Sequence, residues 1–425
     1  MKKVQLSLLA IMAMFFTLSL SVVSCKEDEV EEEVDTVLTG EISADKKLTS
    51  DKVWVIKGDV KVKSGVTLTI EAGTTIEAVS STISYLLIEQ GAKIMAEGTA
   101  TNPIVFTADK KESGAWGSLH ICGKAPINLS GGTGSSEIGD AVYGGTDAND
   151  NSGVLKYCRF EYTGINLDEE HEANGLTLYG VGAGTTIEYV QIFHGTDDGI
   201  EFFGGTVNVK YAYVYGATDD CFDWTYGWSG KGQYWLAKQI EGEGDRGIEA
   251  DNSGKSNTAT PYSNPTLSQV TLIGAGSVES RGMKLREGTK AQIYNVIVTG
   301  FKDRSIDVEH NQSILNLNDG SLKVDYAYID TTVTGKVFNY SVSKVKADTD
   351  VNTDGKIDDK DLINDPNAPI INVDMKFEKS ANVKRGAETT ALSMDGGKDA
   401  ASLDAFFTAD SKIGSGDGWL AGWTK

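Results

Sequence analysis

Asn174-Gly175-Leu176-Thr177-Leu178, Asp198-Gly199-Ile200-Glu201-Phe202 and Asp220-Cys221-Phe222-Asp223-Trp224 are one phrase written three times. Arg246-Gly247-Ile248-Glu249-Ala250, Arg281-Gly282-Met283-Lys284-Leu285 and Arg304-Ser305-Ile306-Asp307-Val308 continue it, with starts 24, 22, 26, 35 and 23 residues apart. A second phrase keeps step: Ile187-Glu188-Tyr189-Val190, Val209-Lys210-Tyr211-Ala212, Val270-Thr271-Leu272-Ile273 and Ile293-Tyr294-Asn295-Val296. A period in the low twenties built from short alternating strands, with no helical apolar spacing between them, defines a β-solenoid. One such unit cannot bury its own apolar face, so successive turns must stack, with Leu176, Ile200, Phe222, Ile248, Met283 and Ile306 in one inward column. The expected fold is all-β: a right-handed parallel β-helix with a short capping C-terminal region.

The strand phrases extend backwards through Val53-Trp54-Val55-Ile56 and Leu86-Leu87-Ile88. Leu68-Thr-Ile-Glu-Ala-Gly-Thr-Thr-Ile76, Ala96-Glu-Gly-Thr-Ala-Thr-Asn-Pro-Ile-Val-Phe-Thr107 and Trp116-Gly-Ser-Leu119 resemble the opening turns of secreted bacterial β-helix proteins of the pectin lyase-like kind. That superfamily mixes lyases, hydrolases and adhesins, so the resemblance implies fold and leaves activity open. Polar stretches 125–153 and 251–265 interrupt the pattern and are expected as surface loops.

The composition suits this fold, with 48 glycines, six prolines and a net charge of −22. Such acidity argues against a nucleic-acid partner and for a cation-attracting surface. Residues 1–24 pair Lys2-Lys3 with an apolar run, a signal-peptide pattern. Val22-Val23-Ser24-Cys25 resembles a bacterial lipobox, which implies lipidation of Cys25 and membrane attachment through that lipid only. Residues 25–45, rich in glutamate, are expected to form a disordered acidic tether. The run after Cys25 resembles the export signal of surface lipoproteins and implies an outer-membrane, outward-facing location, with a periplasmic one as the alternative. Cys122, Cys158 and Cys221 lie among apolar strand residues and read as packing thiols.

Beyond the solenoid at 46–345, the segment 346–369 carries the sharpest local motif. Asp350, Asn352, Asp354, Lys356 through its carbonyl, Asp358 and Asp361 stand at the ligand positions of an EF-hand loop, with Gly355 at the turn. Aspartate at the last position resembles dockerin loops, although a dockerin pairs two and this chain shows one. Structural Ca²⁺ is the expected cofactor. Residues 370–425 are expected to close the solenoid as a final rung and cap, with Phe406, Phe407, Trp419 and Trp423 covering its end.

Strand alternation turns Glu201, Asp223, Glu249, Lys284 and Asp307 outward, with Arg246, Arg281 and Arg304 at the preceding bend. These residues are expected either to line a ligand groove or to form a solvated charge ladder that blocks aggregation. The pairs Asp197-Asp198 and Asp219-Asp220 resemble the paired aspartates of β-helical pectin hydrolases. This resemblance implies Asp198, Asp220, Glu201 and Asp223 as candidate acids, with His194 or Arg246 assisting; ordinary turn chemistry is the competing explanation. Trp228, in a glycine-flanked turn, is a candidate sugar-stacking residue. Three functions follow: a non-catalytic surface lipoprotein holding a polysaccharide or partner protein and serving an outer-membrane transporter; a polysaccharide lyase or glycoside hydrolase; and an adhesin.

Overall fold

The computed structural model describes residues 36–165, 172–341 and 376–425. The segment expected as a signal peptide, Cys25 and the segment expected to bind Ca²⁺ lie outside them. Nearly all described strands belong to one parallel network of 24 strands; only two short antiparallel pairs stand apart. Leu176 aligns with Ile200, Ile200 with Phe222, Phe222 with Ile248, Ile248 with Met283 and Met283 with Ile306, so the repeated phrase is the repeating turn of a right-handed parallel β-helix.

Each turn contributes to three sheets. The first holds Lys46–Leu48, Thr67–Ile70, Lys93–Glu97 and then the opening halves of the long strands from Gly153–Glu161 onward. The second holds Thr75–Ala78, Ile104–Ala108 and the closing halves of those long strands. The third holds Tyr85–Ile88, Leu119–Cys122 and the strands of the opening phrase. The first strand is Val37–Ile42, so the solenoid begins inside the segment assigned to the tether. Its alternating burial shows why: Leu38 and Ile42 point into the core. The helix Asn311–Asp319 interrupts the late turns and adds Ile314 and Leu317 to that core.

The long strands bend from the first sheet to the second at one residue each. Tyr157, Tyr189, Tyr211, Tyr234, Gln269, Asn295 and Tyr326 all hold φ between 49° and 60° at that bend. A left-handed conformation costs a non-glycine residue about 1–2 kcal/mol. Stacking offsets it: Tyr157–Tyr189, Tyr189–Tyr211 and Tyr211–Tyr234 lie ring on ring at 4.2, 4.1 and 4.9 Å. An aromatic pair is worth about 0.5–1.5 kcal/mol beyond its burial, so the two terms nearly cancel.

The loop after Cys122 folds over the outer face of the third sheet. Its Ile127, Ile138 and Tyr143 pack on Tyr85, Leu87, Tyr179 and Phe203 to make a second apolar core. Strands there are buried on both faces, which accounts for the unbroken apolar reading of Tyr85-Leu86-Leu87-Ile88.

The C-terminal region corrects an expectation. Val383–Gly386 adds a strand beside residues 327–330, but the chain then runs back along the flank instead of covering the end. Thr389 N–H donates to Thr299 Oγ1, Lys398 N–H to Asn295 Oδ1, Thr408 N–H to Gln233 Oε1 and Lys425 N–H to Gln191 Oε1, at 2.7–3.0 Å. Trp423 sets its ring edge-on to Tyr157 and Tyr189, Trp419 lies by Tyr211, and Lys210 stands over Phe406. Phe406, Phe407, Trp419 and Trp423 therefore belong to a flank strap, because the bend column offers ring faces and polar partners along its length.

Candidate functional site

The outward column of the third sheet runs Leu87, His120, Thr177, Glu201, Asp223, Glu249, Lys284, Asp307 in register. Its early members lie beneath the loop, and burial pushes His120 down to about 4. The later members are half-buried or buried as well, so the column is neither an open groove nor a solvated ladder.

The turns before these strands are tied by a second column. Asn174 Oδ1 accepts from Asp198 N–H at 3.3 Å, Asp198 Oδ1 from Asp220 N–H at 3.0 Å, and Asp220 Oδ1 from Arg246 N–H at 2.8 Å. Asp198 and Asp220 thus act first as turn residues that pin one rung to the next.

The charge ladder divides in two. In the later half Arg246 Nε lies 3.0 Å from Glu249, which Arg286 also contacts; Arg286 Nε donates to Asp251 at 2.8 Å. Arg281 lies 3.3 Å from Asp307, which Arg304 also holds, while Lys284 Nζ is 3.6 Å from Glu249. Burial opposes the Glu249 charge, yet Arg286, Arg246 and Lys284 hold its carboxyl below the usual range. In the earlier half Asn174 Nδ2 donates to Glu201 at 2.6 Å, and among the described residues no lysine or arginine pairs with Glu201. Burial, then neighbouring carboxylates, drive Asp198, Glu201, Asp220 and Asp223 well above the ordinary carboxylate range.

Three carboxylate triplets gather there with ligand oxygens within 4.8 Å of one another: Asp197–Asp198–Asp219, Asp198–Glu201–Asp223 and Asp220–Asp223–Glu249. Asp223 Oδ1 is buried without a hydrogen bond. All-oxygen triplets of this kind could hold a hard divalent cation.

The open site lies beside the column, at the corner where the second sheet turns into the third. A cleft of about 820 Å³ is lined there by Glu172, Asp197, Asp219, Glu243, Asp245 and Glu279. The repeated Thr-Asp turns build its floor: Asp197 N–H donates to Thr218 Oγ1 at 3.1 Å and Asp245 N–H to Asp219 O at 2.9 Å. Burial, with Glu172 and Asp219 nearby, pushes Asp197 up to about 8. Burial also raises Asp219, while Arg246 at 3.5 Å opposes the shift. Directly before these turns in the chain, Phe193 and Tyr215 stack at 5.6 Å on the outer face of the second sheet.

The structure thus brings Asp198, Glu201, Asp220 and Asp223 together, but it is their neighbours Asp197 and Asp219 that face the cleft. His194 stands outside the cleft lining, parallel to Tyr162 and edge-on to Tyr215. Trp228 is buried, stacked at 4.0 Å on Phe202, and is a core residue. Cys122, Cys158 and Cys221 are free and buried. Glu172, Glu243, Asp245 and Glu279 went unread as site residues because they sit in turns of unequal length. Thr196-Asp197 and Thr218-Asp219, at one offset in adjacent repeats, were the available signal.

The chain is thus a parallel β-helix with an acidic cleft at one corner. A family model described as "Pectate-lyase like beta helix domain" matches residues 40–423, and the chain belongs to this family. No curated protein and no solved structure matches it.

Proposed function

We propose that the chain binds a glycan in the corner cleft and does not itself cleave it. The observation that carries this reading is the row of carboxylates that successive turns present along the cleft. Carboxylates accept hydrogen bonds from sugar hydroxyls. Turns about 4.8 Å apart suit a chain-like ligand running along the solenoid. Placement on the cell surface through lipid on Cys25, service to an outer-membrane transporter and Ca²⁺ in the 350–361 loop are parts of the same proposal.

A specific observation favours a second reading, glycoside hydrolysis. Burial raises both Asp197, to about 8, and Asp219, and Arg246 opposes the rise at Asp219, the direction of difference that an acid and its partner need. Incubation of the full chain with a panel of neutral, acidic and amine-bearing polysaccharides separates the two. Retention on a polysaccharide without new reducing ends supports binding, whereas reducing ends that vanish in Asp219→Asn establish hydrolysis. Neither retention nor release, across the panel, removes both.

A further inference from the structure

We propose that the loop 125–143 is an acid-opened lid, with His120 beneath it as the trigger. Opening bares the apolar outer face of the third sheet at Tyr85, Leu87, Tyr179 and Phe203.

His120 points outward from the third sheet, yet it is fully buried. Tyr85 stands edge-on to its ring at 6.2 Å and Tyr179 lies nearly parallel at 6.1 Å, with Tyr143 of the lid packed on Tyr179 at 5.0 Å. Nε2 is 2.6 Å from Gly117 O, so this nitrogen carries the hydrogen and donates it. Nδ1 is buried and has no hydrogen-bond partner. A second proton would make Nδ1 a buried donor facing no acceptor, a costly arrangement. When the lid lifts, water accepts that hydrogen bond and the cost disappears. Charging and opening are therefore linked.

No charged group offsets the penalty. On the third sheet the titratable neighbours are Tyr85 and Tyr179, with Cys122 two residues along, and burial raises all three, so they stay neutral in acid. The lid brings Glu137 and Asp140, but Glu137 accepts from the Tyr179 hydroxyl at 3.4 Å, and Asp140, like Asp59, acts on Tyr85. Glu89 acts on Cys122, and Lys61 is engaged with Gly139 O at 3.0 Å. Burial, opposed only by the Gly117 carbonyl, holds His120 down at about 4 against an ordinary 6.5.

The loop is also hinged. Gln90 Nε2 donates to Gly123 O at 2.9 Å and to Gly144 O at 2.8 Å, so one side chain pins both ends. Between those ends Ile127, Ile138 and Tyr143 rest on the sheet by apolar contact. The body of the loop can therefore lift while its ends stay fixed. Between pH of about 6.5 and about 4 the open form binds more protons than the closed one, so falling pH favours opening.

The test is hydrogen exchange of the full chain at about pH 7.5 and about pH 4.5, corrected for the intrinsic pH dependence of exchange. Protection of residues 125–143 is expected to fall on the order of 50-fold in acid, while strands Leu119–Cys122 and Leu176–Tyr179 keep theirs. Local exchange is the proper readout because Asp198, Glu201 and their neighbours move global stability the other way. His120→Gln keeps a donor for Gly117 and takes no proton, so it should abolish the fall. Ring-nitrogen NMR of the wild-type chain should show His120 charging as the lid opens, a measurement that needs no variant to fold. Lid protection that ignores pH would overturn the proposal. An equal fall in His120→Gln would also overturn it, by assigning the opening to the lid's carboxylates. So would an equal fall in the strands, which would mean global unfolding.

Discussion

Asn128 Nδ2 donates to both the Oδ1 and the backbone oxygen of Asn252, at 3.0 Å each, and so joins two loops 124 residues apart in sequence. The same amide reaches Pro261 O at 3.2 Å, and Asn252 Oδ1 also accepts from Ser263 N–H. One side chain thus ties the lid over the third sheet to the polar insertion farther along. Asn128→Ala should destabilise this junction by about 1–3 kcal/mol, because buried acceptors lose their donor. Hydrogen exchange should quicken in residues 125–152 and 251–265 while the solenoid strands stay protected. Unchanged exchange in both loops would mean that the apolar contacts alone hold the lid.

The bend column gives a sharper test of backbone strain. Tyr189 combines φ 56° with stacking on both Tyr157 and Tyr211. Tyr189→Ala loses the stacking and keeps the left-handed penalty; Tyr189→Gly loses the stacking and removes the penalty. Glycine should therefore be the less damaging replacement by about 1 kcal/mol in urea unfolding, the reverse of the usual order inside a strand. If alanine is the milder change, the bend is not left-handed in solution.

These two cases mark what the sequence could and could not disclose. Ile200, Phe222 and Ile248 repeat at a fixed offset, and stacking turns that periodicity into register, so the fold was readable directly. Glu201 and Glu249 occupy equivalent positions in the repeat yet have opposite electrostatic fates. The difference comes from the cations around Glu249: Arg286, which lies beyond the repeated phrase, and Arg246 and Lys284, which stand where earlier repeats carry uncharged or acidic residues. The flank strap repeats nothing, and its partners Gln191, Gln233 and Asn295 are more than 100 residues away, so local pattern carried no trace of it. The Thr-Asp turns were visible, but which aspartate faces the cleft depends on backbone geometry at the corner.

The strap should come away without the solenoid unfolding. Trp423 is fully buried on the flank, and its Nε1 donates to Trp419 O at 2.8 Å. Trp423→Ala should weaken strap docking by about 3–5 kcal/mol, the usual loss for a buried tryptophan. Limited proteolysis is expected to trim residues from 387 onward and leave a resistant core. Global loss of resistance would show instead that the strap is integral to the fold.

Stability should fall as pH rises from about 4 to about 8. Asp197 holds its proton up to about 8 in the folded chain, against an ordinary carboxylate value of 3.8 when unfolded. Asp198, Glu201, Asp220 and Asp223 shift the same way. Between those limits the folded state binds more protons than the unfolded one, so each pH unit upward favours unfolding, and the trend levels off above the folded value. Glu249, held low by its arginines, works in the opposite sense and loses its contribution only in acid. Thermal melts across this range should show the decline, and millimolar Ca²⁺ should flatten it if the carboxylate triplets take the ion. A melting temperature that climbs with pH would contradict the crowding.

Asp223→Asn should stabilise the protein at alkaline pH although it alters a half-buried ladder residue. Asp223 belongs to two of the three carboxylate triplets, and its Oδ1 is buried without a hydrogen bond. Its carboxyl is raised by burial and by Glu249, Asp251 and Asp220, with Arg286 only partly opposing. An amide of the same shape removes the repulsion, a gain of about 1 kcal/mol for one like-charge neighbour at this spacing. The gain should vanish in acid, where the wild-type group is already protonated, and cation binding should weaken in the variant. Acids kept crowded at a cost to stability are what a site selected for binding retains. A variant less stable than wild type at alkaline pH would show that Asp223 is held by favourable contacts, and the acidic half of the ladder would then be structural.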